Sequence, residues 1–260
     1  MKDIGSTNTK NIDLQFLQNI EGLVSNLSDV GHISVNSSTF HKVQESNKNS
    51  VLGKDELEFI ESWQNLELDR FISDEGVYRT RKHATFTING EFQSCSKNDY
   101  QLHYQTTDYN TLNGGVKRYY KEIDLNTNKT PVFNSLLQLA YSIFDNGKMK
   151  NWYVEAHQFR VKAHEQSNGK PTPEGVHRDG VDYVLMAMIN KDNVTGGITT
   201  IYDSNKNPLT AFELENFLDI AMVNDHTVYH GVSEIQPRDN NGNKVGFRDM
   251  LVITFKESNK

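Results

Sequence analysis

Beyond residue 175 the chain supplies one strand signal after another and nothing with the period of a helix. Residues 183–189 form a nearly continuous apolar run, which reads as a strand buried on both sides. Residues 198–202, 217–223 and 229–232 follow as short strands, and 248–255 close the series, with turns at Gly196 and Gly197 and at Asp225 and His226. A parallel sheet needs a helix-sized crossover between successive strands, and none fits in these gaps. The strands must therefore pair antiparallel. The expected fold is mainly β with flanking helices (α+β), arranged as a double-stranded β-helix, or jelly roll, with its helices packed outside.

Those helices belong to the first half. Residues 1–10 are polar and read as a disordered terminus, leaving 11–260 as one domain with a helical N-terminal part. Ile12, Phe16, Leu17, Ile20, Leu23, Val24 and Leu27 recur at helical spacing. Residues 32–38 alternate like a short strand, 47–50 read as a loop, and Asp55 opens a second helix that buries Leu57, Phe59, Ile60, Trp63 and Leu66. Strands are expected over 78–81, 83–88 and 100–104, with turns at Asn89 and Gly90 and around Asn113 to Gly115. Thr130 caps a helix that begins at Pro131 and stops at Asn146 and Gly147.

The long strand 151–161 is unusual. Gln158 and Arg160 share one face while Glu155, His157 and Phe159 share the other, so both faces carry polar groups in mid-strand. One of them is expected to line a polar cavity. Arg79, Arg81 and His83 also share a face, which is either a basic pocket wall or a solvated surface.

Composition excludes some partners. A formal charge of −7 gives no basic face for nucleic acid. The lone Cys95 cannot form an intramolecular disulfide and fits a reducing compartment. No apolar run reaches membrane-spanning length, and the first residues lack the apolar core of a signal peptide. The expectation is a cytoplasmic protein that binds neither nucleic acid nor membrane; its oligomeric state is not legible.

The chemistry is concentrated in three places: His177, Arg178 and Asp179; His230 beside Gly231; and Arg248 on the last strand. A His-x-Asp match alone carries little, because nine histidines and 34 acids in 260 residues give about one His-x-acid match by chance. Its context carries more. Two imidazoles and one carboxylate on one face of a metal leave coordination positions open for co-substrates. His177 and Asp179 point the same way from an extended segment, and His230 would arrive from a strand distant in sequence. Each has a bland alternative, a solvated pair at a loop end or a turn histidine. His157, His164 and His226 compete as ligands; His230 is preferred to His226 because Val228, His230 and Val232 alternate as in a strand.

This order of His-x-Asp, distant His and then Arg on a terminal strand resembles the Fe(II)/2-oxoglutarate-dependent dioxygenases. Four stretches, 157–160, 177–179, 196–197 and 247–255, together with 78–81, look like the bacterial branch that includes the L-isoleucine 4-hydroxylases and related free amino acid hydroxylases. The resemblance covers about residues 70–256. It implies that His177, Asp179 and His230 bind Fe(II), that 2-oxoglutarate chelates the metal, and that Arg248 pairs with the distal carboxylate of the co-substrate. Where many relatives carry a serine two residues after this arginine, the chain has Met250, so Tyr183 or Thr254 is expected to supply the hydroxyl.

The implied reaction consumes dioxygen, hydroxylates an unactivated C–H bond of a free L-amino acid or similar small molecule, and releases succinate and carbon dioxide. Arg160, Arg79 and Arg81 are the candidates for the substrate carboxylate, with Gln158 as a hydrogen-bonding neighbour. For the ammonium group, Glu155 and Asp182 are only nearby in sequence. Two other readings stand beside this one: a hydroxylase of a peptide or carrier-tethered residue, and an inactive jelly-roll binding module.

Overall fold

The computed structural model describes residues 20–258 apart from 46–53, 73, 75, 110, 111, 113 and 240–244. The expected disorder of residues 1–10, the start of the first helix, the loop 47–50 and part of the turn around Asn113 lie outside the described residues. Helix α1 occupies residues 20–30. Strand β1, His32–Val35, is shorter than the alternation predicts, and the chain turns at once into α2, Ser37–Glu45. Asn36 ends the strand: its side chain accepts from the backbone N–H of Thr39 at 2.9 Å, which caps the new helix. Helix α3, Lys54–Glu61, runs into a 3₁₀ turn, Ser62–Asn65, that buries Trp63.

Three long strands form the centre. Strand β3, Arg79–Asn89, follows the short β2, Glu67–Leu68; β5 is Asn151–Ala163, and β13 is Gly246–Glu257. Where the sequence predicts two strands over 78–88, Lys82 breaks the apolar pattern without breaking the strand. Its ammonium leaves the sheet to pair with Asp124 at 2.6 Å. The strand expected over 100–104 is absent, and only an isolated bridge between His103 and Arg118 forms there.

The two-residue β4, Ser96–Lys97, hangs on β3. Helix α4, Leu125–Asn128, precedes α5, Pro131–Asp145. Thr130 accepts from the N–H of Phe133, Pro131 opens α5, and Asn146 closes it in the left-handed conformation (φ 48°), as the residue types dictate. The buried Asp145 carboxylate then accepts from the N–H groups of Met149 and Lys150 and from Trp152 Nε1, at 2.8 to 3.0 Å, and so ties the end of α5 to β5.

The remaining strands are β6 (Tyr183–Asp192), β7 (Val194–Gly196), β8 (Thr199–Tyr202), β9 (Pro208–Phe212), β10 (Ile220–Asn224), β11 (Tyr229–Val232) and β12 (Ile235–Pro237). Among the described residues every strand pairing is antiparallel. The large sheet runs β1-β10-β6-β13-β5-β3-β2, and a smaller one runs β11-β8-β9.

Period two sorts the large sheet into two faces. Ala84, Phe86 and Ile88, with Trp152, Val154 and Ala156, Leu185 and Ala187, and Leu251, Ile253 and Phe255, pack on the apolar side of α5 as the main core. The alternate residues look the other way, toward the small sheet. Met186, Met188 and Met250 meet Ile201 and Val228 in a second cluster there. The rest of that face lines a cavity. No helix among the described residues is long and apolar enough to cross a membrane.

Candidate active site

The cavity, about 440 Å³, takes its walls from β3, β5, β13 and β6 on one side and from β8, β11 and the loop before β6 on the other. The register aligns this face of the large sheet in rows: Arg79, Val161 and Arg248; then Arg81, Phe159 and Met250; then His83, His157 and Val252.

At the cavity's edge the loop carrying His177 docks on β11. His177 and His230 exchange backbone hydrogen bonds at 2.9 and 3.0 Å, and their rings stand 4.5 Å apart. His177 Nδ1 lies 2.9 Å from the Gly175 carbonyl, so Nδ1 holds the proton and Nε2 keeps its lone pair. That Nε2 lies 3.7 Å from Asp179 Oδ1, and His230 Nε2 lies 3.5 Å from Asp179 Oδ2. All three ligand atoms fall within 4.8 Å of one another, a set that fits one metal ion. Burial pushes the Asp179 carboxyl up and drives the His230 imidazole down to about 3, with neighbouring His177 adding to the second shift. A divalent cation is the group that offsets burial of a carboxylate between two imidazoles.

Asp225 holds this loop, which nothing in the sequence indicates. Its carboxylate accepts the N–H groups of Asp179, Gly180 and Val181 at 3.0, 2.8 and 3.2 Å. Gly180 adopts φ +80° with Tyr109 against its α-carbon, where a side chain would collide at 2.5 Å. The competing histidines lie elsewhere. His226 pairs with Asp182 at the surface, His164 is exposed beside Ser167, and His157 belongs to a second polar cluster.

Arg248 lines the cavity, with its side chain packed on Gly197, whose missing Cβ would come within 3.1 Å of the Arg248 Cδ and Nε. Burial lowers the guanidinium to about 10, which still leaves it charged at neutral pH, and Nη2 is buried with no hydrogen-bond partner among the described residues. Of the two hydroxyls expected beside it, Tyr183 is on the wrong face. It has the parity of Leu185 and Ala187 and stacks on Phe144 at 4.8 Å in the main core. Thr254 does line the cavity, but it is six residues up β13 from Arg248, roughly 20 Å along an extended strand. Among the described residues, Thr199, on β8 two residues after Gly197, brings to the cavity lining a buried hydroxyl without a hydrogen-bond partner.

Arg79 and Arg81 form part of the cavity wall, so the face they share is a basic pocket. Arg79 pairs with Asp69 at 2.8 Å; Arg81 lies 3.5 Å from the same carboxylate and is sandwiched between Tyr120 and Phe159 at 3.8 and 4.4 Å. One buried acid thus serves two guanidinium groups.

Arg160 and Gln158 correct the sequence reading. Even-numbered residues of β5 face away from the cavity, where Arg160 grips Asp249 through two contacts of 2.7 Å and Gln158 donates to Ser62 at 2.8 Å. Both sit on the opposite side of the sheet from the cavity. Asp182 is likewise remote, pairing with His226 and the Glu257 N–H.

The family model for 2OG-Fe dioxygenases matches residues 60–254, most of the chain. The chain belongs to the 2OG-Fe dioxygenase family. The enzyme is thus a 2-oxoglutarate-dependent dioxygenase, and its cofactors are Fe(II) and 2-oxoglutarate. The dioxygenase is 29% identical over 222 residues to a 3(1)-hydroxy-L-isoleucine 4-dioxygenase of Pantoea ananatis, covering 83% of this chain and 86% of that protein. It is 24% identical over 244 residues to an L-isoleucine-4-hydroxylase of Bacillus thuringiensis, covering 91% and 95%. Among solved structures it is similar to a bsmA homologue of Methylobium petroleophilum, with TM-score 0.78 and 28% identity over 92% of this chain and 93% of that one.

Proposed function

We propose that this dioxygenase hydroxylates an unactivated C–H bond of a free L-amino acid or a closely similar small molecule, on a double-stranded β-helix built from the two sheets that enclose the cavity. The observation that carries the reading is the pairing, in one cavity, of the His177, Asp179 and His230 group with the Arg79 and Arg81 wall. A volume of about 440 Å³ suits small molecules. The curated relatives named for isoleucine derivatives support amino acid hydroxylation.

In this reading His177, Asp179 and His230 hold Fe(II). With 2-oxoglutarate, the bound metal supplies dioxygen activation and C–H hydroxylation, the co-substrate leaving as succinate and carbon dioxide. Arg248 takes the distal carboxylate of 2-oxoglutarate through its unpaired Nη2, and Thr199 adds the hydroxyl. Arg79 and Arg81 take the substrate carboxylate, held in place by Asp69 and by the aromatic faces of Tyr120 and Phe159. Asp225 keeps Asp179 oriented.

The test is succinate release by purified protein with Fe(II), ascorbate and 2-oxoglutarate across free L-amino acids, with mass detection of one added oxygen. An oxygenated amino acid is the expected product. Activity confined to peptide or carrier-bound residues would overturn the reading.

A further inference from the structure

Behind Arg81, on the same wall, one carboxylate gathers three imidazoles. Glu155 Oε2 lies 2.6 Å from His103 Nδ1, 3.1 Å from His83 Nε2 and 3.4 Å from His157 Nε2. Their ligand atoms all fall within 4.8 Å, so a second metal is the first use to consider. The protons argue against it. Arg81 Nη2 meets His157 Nδ1 at 2.7 Å. A guanidinium can only donate, so Nδ1 carries the lone pair and Nε2 the proton. His157 therefore offers Glu155 an N–H and has no lone pair left on that side for a cation.

The other groups agree. Burial holds His103 and His157 below the usual histidine range, as neutral donors. Burial pushes Glu155 the other way, upward, but hydrogen bonds from His103, His157 and His83 outweigh it and keep the carboxyl well below its ordinary range. The result is an ionised carboxylate on the cavity wall with all three of its contacts on Oε2. The imidazoles all reach Oε2, which leaves Oε1 to the cavity that Glu155 lines. An ionised carboxylate on a cavity wall, with one oxygen not engaged by the three imidazoles, is matched by a cationic donor.

Distance narrows what that donor is. His157 bridges Arg81 and Glu155, and its two contacts plus the width of one ring place Arg81 Nη2 and Glu155 Oε2 at most about 8 Å apart. An α-amino acid with an ordinary hydrogen bond at each charged end spans about the same length. The cluster also borders the metal ligands, because Gln105, two residues past His103, donates to the Asp179 carbonyl at 3.2 Å.

We infer that Glu155 receives the α-ammonium group of the substrate while Arg81, with Arg79, holds its carboxylate, so that the site selects amino acids free at both ends. This rests on the free amino acid reading above and sharpens it. A peptide residue would bring a neutral amide to Glu155, and a carrier thioester would bring no carboxylate to Arg81.

The test is anaerobic calorimetric titration of the Fe(II) and 2-oxoglutarate holoenzyme with the twenty protein L-amino acids, then with the desamino acid and the primary amide of the best ligand. Both analogues should bind wild type at least tenfold more weakly. In Glu155→Gln the amino acid should fall to the level of its desamino analogue, whose own affinity should move less than threefold. Retention of the tenfold amine preference in Glu155→Gln, or equal binding of the desamino acid to wild type, overturns the inference. If Glu155→Gln does not fold, the wild-type comparison still decides, and Glu155→Asp should keep the amine preference. Failure of all twenty to bind removes the free amino acid reading itself; a bound amino acid whose amine is ignored removes only the role of Glu155.

Discussion

Arg248 is a charged group placed in a buried wall with a donor to spare, and Thr199, which lines the same cavity, has a hydroxyl in the same condition. Arg248→Ala should raise the KM for 2-oxoglutarate at least tenfold, and Arg248→Lys should recover only part of that, because an ammonium cannot present two parallel donors. An unchanged KM in a folded Arg248→Ala protein would refute the clamp. Thr199→Val removes one hydrogen bond and no volume. It should raise the same KM about tenfold or more, in line with about 1.5–3 kcal/mol for a single hydrogen bond to a charged group. Asp179→Ala should abolish Fe(II)-dependent turnover with the circular dichroism spectrum intact; normal turnover would take the carboxylate out of the ligand set. At this scale the sequence was informative about which residues gather, as in His177, Asp179 and His230, whose ligand atoms meet, and Arg248, which lines the cavity. It was silent on Thr199 and Asp225, because a threonine on a short strand and an aspartate in a turn look ordinary until the fold brings them to the cavity or to the His177 loop.

Elements were legible where local chemistry sets their ends and illegible where a distant partner does. Thr130, Pro131 and Asn146 marked α5 correctly, since capping and the left-handed closing residue are local. Strand β5 shows the opposite case. Its parity was readable, but which face met the cavity was not. Arg160 is placed by Asp249, 89 residues away on β13, which no spacing rule reveals. Tyr183 is a miss that parity alone corrects, because it shares the face of Leu185 and Ala187. The Arg160 and Asp249 pair gives its own prediction. Asp249→Asn leaves a guanidinium buried without its anion and should cost about 3–5 kcal/mol in urea unfolding. The KM for the amino acid should stay within twofold at a temperature where the variant is folded. A large KM change at intact stability would return Arg160 to the substrate site.

The molecule as a whole buries titratable groups that folding keeps from protons. His157 and His103 sit below the usual histidine value of 6.5, so acid protonates them first in the unfolded chain. At these two groups the native state then binds fewer protons than the unfolded one, and their contribution to stability is lost as pH drops below 6.5. Glu155, held well below 4.5, acts in the same direction: its contribution is present above 4.5 and is lost as pH falls from there through its folded value. Burial raises Asp179, Asp225 and Asp249, the last to about 6, and these carboxyls oppose that loss as pH falls. The cluster therefore shows as a difference: the melting temperature should fall more steeply from pH 7 to 5 in wild type than in His157→Phe, and equal slopes would contradict the buried cluster.

Strands β3, β5 and β13 also constrain how such an enzyme can change. Each is a single ribbon whose odd and even positions serve different tasks, reaction on one side and cohesion on the other. One residue inserted into β5 would exchange the two sets beyond that point, turning Trp152 or Val154 toward the substrate and Glu155 or His157 toward α5. Length variation within these strands is thus closed to selection. New substrate preferences must come by replacing side chains in place, or by remodelling connecting segments such as the one that carries His103, Gln105 and Tyr109 over the cavity.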